Sequence, residues 1–169
     1  MQKALIRLTV LGAVTGLLAG GVVLAFRWLI ETSQRAFLPD GRLGNYEALP
    51  DGVMLALPLL GGLVLGMVFE RLPPHLRSVG IVHAIQQLRH TGRADLPLGN
   101  AVVQFLAGSF AIVCGHSVDR EGPGVHLGAA TGSWVGARSD EADSFTLTVC
   151  GAAAAIAAAF TRRWPASCS

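Results

Sequence analysis

The sequence predicts an all-α membrane protein, and three observations carry that prediction. Long runs without Asp, Glu, Lys or Arg recur along the 169 residues. Hydrophobic residues make up 51% of the chain and charged ones only 14%, well under the usual quarter for a soluble domain. Glycine is frequent, at 21 residues without a collagen-like period. Much of it is spaced four apart, which gives a helix a side-chain-free ridge for close packing in lipid. Other classes fall away on the same numbers. A formal charge of +2, with no Lys/Arg cluster interleaved with aromatics, gives no footprint for nucleic acid. Cys114 and Cys150 lie in apolar runs and read as small buried hydrophobes, and Cys168 lies in the tail; no metal-ligand spacing or secreted framework is present.

Taken in order, the chain opens with Lys3 and Arg7 and then an apolar run from Leu8 to Ile30, interrupted by Arg27. That run is too long for a signal-peptide core and long enough to span. Gly12, Gly16 and Gly20 ladder along it. Glu31 to Asp51 is polar and holds the turn sequences Pro39-Asp40-Gly41 and Pro50-Asp51-Gly52. A second apolar run spans Val53 to Phe69, with Gly62 and Gly66 four apart and a tolerable Pro58 inside. Leu72-Pro73-Pro74 stops it. Ile81 to His90 has a weaker helical pattern and is too short and polar to span. A third run, Leu96 to Gly115, leads into Asp119-Arg120-Glu121-Gly122-Pro123. Pro123 suits a first helical turn, which places Glu121 just ahead of a helix N-terminus rich in unpaired amides. Gly124, Gly128, Gly132 and Gly136 then recur every four residues. A polar break at Arg138 to Asp143 precedes the last, alanine-rich run, Ser144 to Phe160.

The pentapeptide and the glycine-spaced helix after it resemble the CLC family of chloride channels and chloride/proton exchangers. Its signature reads Gly-Arg/Lys-Glu-Gly-Pro, and four of the five positions agree here. The resemblance covers roughly Leu8 to Phe160 and implies the N-terminal half of an inverted-repeat helical fold with broken and re-entrant helices. It also implies transport of chloride or a similar small anion, coupled to protons in the exchangers, with no cofactor beyond the transported ion. Glu121 takes the gating role: its carboxylate occupies an anion site and vacates it when protonated or displaced. Gly122 and Gly124 would turn amides toward the outer anion position, and Arg120 would raise the local positive potential. Gly124, Gly128, Gly132 and Gly136 would form the packing ridge. Asp119 departs from the family's glycine and adds a like charge beside Glu121.

The family's other anion-lining stretch, Gly-Ser-x-Ile-Pro, corresponds to Ser78-Val79-Gly80-Ile81-Val82. Gly80 and Ile81 fit an anion-binding role through the backbone, but Val79 stands where a serine hydroxyl would meet the ion. His116 and His126 flank Glu121 at no standard metal-ligand spacing, and His83 and His90 read as a polar face of the short helix. Neither Gly-x-Ser-x-Gly nor His-Glu-x-x-His occurs, so no enzyme is expected. The other class left open is a small membrane scaffold that associates through its glycine ladders.

Charge asymmetry predicts the orientation. Glu31–Asp51 holds two Arg against four acids, and Glu70–Asp95 holds four Arg against two. The positive-inside rule puts the N-terminus and Glu70–Asp95 in the cytoplasm, as for a multi-pass protein of a bacterial cytoplasmic membrane. The tail carries one further expectation. After Phe160 the family continues Asn-Ala-Pro-Leu-Ala-Gly-Val-Leu-Phe. Written in G/C-rich codons with one base dropped, that stretch becomes the nine residues Thr161 to Ser169 found here. Residues 1–160 are therefore expected to be a partial CLC transmembrane domain and 161–169 a frameshifted tail. The family's late helices, which pair two subunits into a homodimer, would be missing, and the short chain would be inactive.

Overall fold

The computed structural model describes residues 2–77, 96–137 and 139–160, and every regular element among them is helical. Helix α1 spans Gln2–Phe37, α2 Asp51–Arg71, and α3 is a single turn at Pro74–Arg77. Helix α4 spans Leu98–Val113, α5 Glu121–Gly136 and α6 Glu141–Phe160. Short 3-10 turns at Pro39–Gly41 and Tyr46–Ala48 shape the α1–α2 connection. The predicted short helix at Ile81 to His90, with Gly80 and Ile81, lies outside the described residues. So do Thr161 to Ser169.

The helices follow the apolar runs but overshoot their polar ends. Helix α1 continues past Ile30 to Phe37 because its charges are spaced for a helix. Glu31 lies 3.6 Å from Arg27 and 3.8 Å from Arg35, each one turn away. Helix α2 starts where Pro50 fixes an extended backbone and stops before Pro73. It runs through Pro58 without ending. Helix α4 likewise begins after Pro97.

Among the described residues three helices are long and apolar enough to cross a membrane: Leu5–Phe37, Asp51–Arg71 and Ala142–Phe160. Helices α4 and α5 have 16 residues each, about 24 Å at 1.5 Å per residue, short of the ~30 Å hydrocarbon core. A helix of that length set in a bilayer would begin or end at membrane depth, where freed backbone groups need protein partners.

Packing centres on α5, α6 and α1. On α1 a stripe of Thr15, Ala19, Val23, Phe26, Ile30 and Gln34 is buried at helical spacing. Phe26 and Ile30 meet Ile112 and Leu127 in one core cluster, and the Phe26 ring stands edge-on to Phe105 at 5.5 Å. The α5–α6 seam is tighter still. A side chain placed at Gly128 would collide with the Gly151 carbonyl and come within 2.5 Å of the Ala155 Cβ. At Gly132 it would strike the Leu147 carbonyl and sit 2.7 Å from the Thr148 Cα. Gly136 faces the Ser144 Cα at 2.9 Å. Gly124, at the head of the ladder, has only Val23 Cγ2 at 4.0 Å. The ladder on α1 is of another kind: nothing lies within 4 Å of a Cβ at Gly12 or Gly20, and Gly16 has only Ala154 Cβ at 3.9 Å.

Candidate functional site

The signature lies in the link between α4 and α5, and the backbone fixes that link at both ends. Helix α4 closes with a Schellman arrangement. Gly115 takes φ +80° and donates its N–H to the Ile112 carbonyl at 3.1 Å, while the His116 N–H reaches the Ala111 carbonyl at 3.1 Å. Glycine suits this position twice over, because the Tyr46 ring stands 3.3 Å from where a Cβ would be. The Tyr46 hydroxyl lies 2.9 Å from the Ile112 carbonyl and 3.0 Å from that of Val113, and accepts a bond from Gln34 Nε2 at 3.0 Å. A helix end that must be satisfied away from water thus takes its acceptors' partner from the α1–α2 connection. Burial pushes the Tyr46 phenol pKa up, more than the bond from Gln34 pulls it down, so the group stays a donor.

His116 leans on α2. Its Nε2 is buried without a hydrogen-bond partner and lies 3.3 Å from a Cβ placed at Gly61, and its Cε1 lies 3.3 Å from one at Gly62. His116 is thus in the link, while His126 is fully buried on α5. Among the described residues no group of three His, Cys, Asp or Glu gathers where a metal could sit.

At the other end of the link, Glu121 is the first residue of α5 rather than a residue ahead of it. Asp119 Oδ1 accepts the Glu121 N–H at 3.1 Å, so the residue read as a mere like charge satisfies one orphan amide of the helix. Pro123 contributes no N–H, and the Gly124 N–H is turned to the Arg120 carbonyl at 3.3 Å. Of the two amides expected to face an anion, that leaves Gly122. The first turn is held from behind by buried Pro123, whose Cβ lies 3.5 Å from a side-chain position at Gly108 of α4.

Asp119, Arg120 and Glu121 are exposed to a cleft of about 210 Å³, completed by Val23, Phe26, Arg27 and Ala159. Two larger grooves, about 330 and about 470 Å³, run beside α4. Their walls are almost wholly aliphatic and aromatic, with Thr131 in the smaller groove and no charged group in either. The cleft at Glu121 is where charge and space coincide beside the first turn of α5.

Arg27 is the component that sequence reading missed. It enters there only as a break in an apolar run. In the fold its Nη1 donates to the carbonyls of Ala158 at 3.4 Å and Ala159 at 3.3 Å, in the last turn of α6. An isolated charge inside an otherwise apolar span is a functional signal in itself, since such charges are costly in lipid and turn inward.

Three candidate spans among the described residues, a shorter apolar helix and a buried glycine seam mark a helical membrane protein. Residues 61–162 match the voltage gated chloride channel family, more than half of the chain. The chain belongs to that family. The matched span takes in the second part of α2, α4, α5 with its signature, and α6, while α1 precedes it. Comparison with curated proteins and with solved structures gives no match. The family consists of membrane transport proteins for chloride and not of enzymes.

Proposed function

We propose that the chain forms one wall of a chloride pathway in which Glu121 is the gate. The observation that carries this reading is the position of Glu121: first residue of α5, beside the Gly122 N–H, on a cleft large enough for a small anion. A carboxylate and a chloride ion would compete for the same positive end of α5, worth about 0.3–2 kcal/mol for either charge. Protonating Glu121 weakens its claim and admits the anion. Arg120 adds favourable charge at the mouth. The anion-binding role of Gly80 and Ile81 rests on the resemblance alone.

Among the described residues the cleft is walled by α1, the α4–α5 link, the start of α5 and the end of α6. Helices from a second, inverted half would close it, and two subunits would pair through that half. The 169-residue chain alone is then expected to carry no chloride. The excess of arginine over acid in Glu70–Asp95 supports an N-terminus on the cytoplasmic side.

The test is chloride flux in proteoliposomes. One sample holds the chain alone, one the chain extended beyond Phe160 with the second half of a family member, and one that chimera with Glu121→Gln. The chimera should carry chloride, and Glu121→Gln should alter the rate and flatten its pH dependence. Proton movement coupled to chloride marks an exchanger; uncoupled flux marks a channel. Flux and pH response unchanged by Glu121→Gln would remove Glu121 from gating and favour a scaffold held together by its glycine seam.

A further inference from the structure

Two helix ends of opposite polarity meet at the Glu121 cleft. Helix α5 presents its N-terminus there, at Glu121, and Ala159 in the last turn of α6 lines the same space. An N-terminus attracts an anion and a C-terminus, with its free carbonyls, repels one. Left alone, α6 would cancel much of what α5 offers. Arg27 lines the same cleft. Its Nη1 takes the Ala158 and Ala159 carbonyls, and its Nη2 lies 3.6 Å from Glu31 Oε1. Glu31 in turn is shared with Arg35 at 3.8 Å, so Arg27 is not fully neutralised by its own helix neighbour.

We propose that Arg27 is a specificity-determining residue of the anion pathway: it masks the negative end of α6 and thereby sets chloride affinity in the cleft. The inference rests on the chloride reading above. It differs from a packing role in its sign. A guanidinium that only ties α1 to α6 would affect stability, whereas one that masks carbonyls changes what ion the cleft accepts. Lysine at this position keeps the charge and loses the two-point contact. Glutamine keeps a donor and loses the charge.

Chloride association with the chimera described above, held in lipid nanodiscs and taken as the parent, can be read from the excess linewidth of the chloride-35 NMR signal, titrated against salt. Arg27→Gln should weaken association about fivefold, and Arg27→Lys should keep most of it. Glu31→Gln, which removes a competing negative charge, should tighten it by about twofold. Should Arg27→Gln fail to fold, the Lys and Glu31 variants carry the test, because a purely structural Arg27 leaves chloride affinity unmoved in both. Folded Arg27→Gln with the parent's affinity overturns the inference. A chloride signal that depends on Glu121 but ignores Arg27 overturns this inference alone. No saturable signal in either the parent or Glu121→Gln overturns the chloride reading with it.

Discussion

Gly132→Ala adds one methyl group at the closest approach of α5 and α6. The new Cβ would meet the Leu147 carbonyl, with the Thr148 Cα at 2.7 Å and the Leu147 carbonyl carbon at 2.8 Å. All three are backbone atoms, so no side chain can rotate away. The helices must part by about 0.5–1 Å, a gap that forfeits about a quarter to a half of each dispersion contact along the seam. Overpacking of this kind costs about 1–3 kcal/mol. Replacing a helical glycine by alanine returns about 1 kcal/mol through the backbone. The net expectation is a loss of up to about 2 kcal/mol, or up to about a 30-fold shift toward the unfolded state. Gly12→Ala is the matched control: its Cβ meets nothing within 4 Å, so only the gain applies. The assay is loss of helical circular dichroism as SDS is titrated into protein held in a mild detergent. Gly132→Ala should unfold at a lower SDS fraction than the parent, and Gly12→Ala at the same fraction or higher. If Gly132→Ala tracks Gly12→Ala, the seam is not a backbone-to-backbone contact and the reasoning fails.

Asp119→Ala removes the acceptor of the Glu121 N–H and so returns an amide to the cleft; chloride association read by NMR linewidth should tighten by about 2–5-fold. Tyr46→Phe removes the hydroxyl that serves the end of α4 and should cost about 1–2 kcal/mol in the same SDS titration. The Tyr46 phenol is also a pH probe. Its folded pKa is raised above the ordinary value of 10.0, so its contribution is fully present below that value and is lost as pH climbs through the raised one. The parent should lose stability over that alkaline range, and Tyr46→Phe should lose less.

The spans were legible in the sequence because runs without charge leave a helix as the one way to satisfy a backbone in lipid. The ends were less so. Helix α1 outlasts its apolar run because Arg27, Glu31 and Arg35 pair at helical spacing, a local rule that composition alone overlooks. The glycine ladders show a different limit. Three of them share a four-residue period, yet only Gly128, Gly132 and Gly136 lie against backbone, because α6 answers with Gly151, Ala155 and Ser144. A ladder specifies close approach when its partner is also small, and the partner is not written in the ladder. At the site, Glu121 and Gly122 could be read from the signature. Asp119 could not be read as a cap from charge alone. Arg27 was hidden because its partners are backbone carbonyls far along the chain, which leave no side-chain pattern to find.

The length of α1 also sets a depth scale. From Leu8 to Phe26 the helix rises about 28 Å, close to the ~30 Å thickness of hydrocarbon. Arg27, Glu31 and Arg35 then fall on the three turns that follow, about where lipid gives way to headgroups and water. On that register the Glu121 cleft, which Arg27 lines, would lie nearer one face of the bilayer than its middle. Little of the transmembrane voltage would then drop between that cleft and the nearby solution. An ion stepping out on this side would cross a short electrical distance, and a proton reaching Glu121 from there would arrive almost independently of membrane potential. Most of the voltage dependence of transport would then belong to the opposite, longer leg of the path.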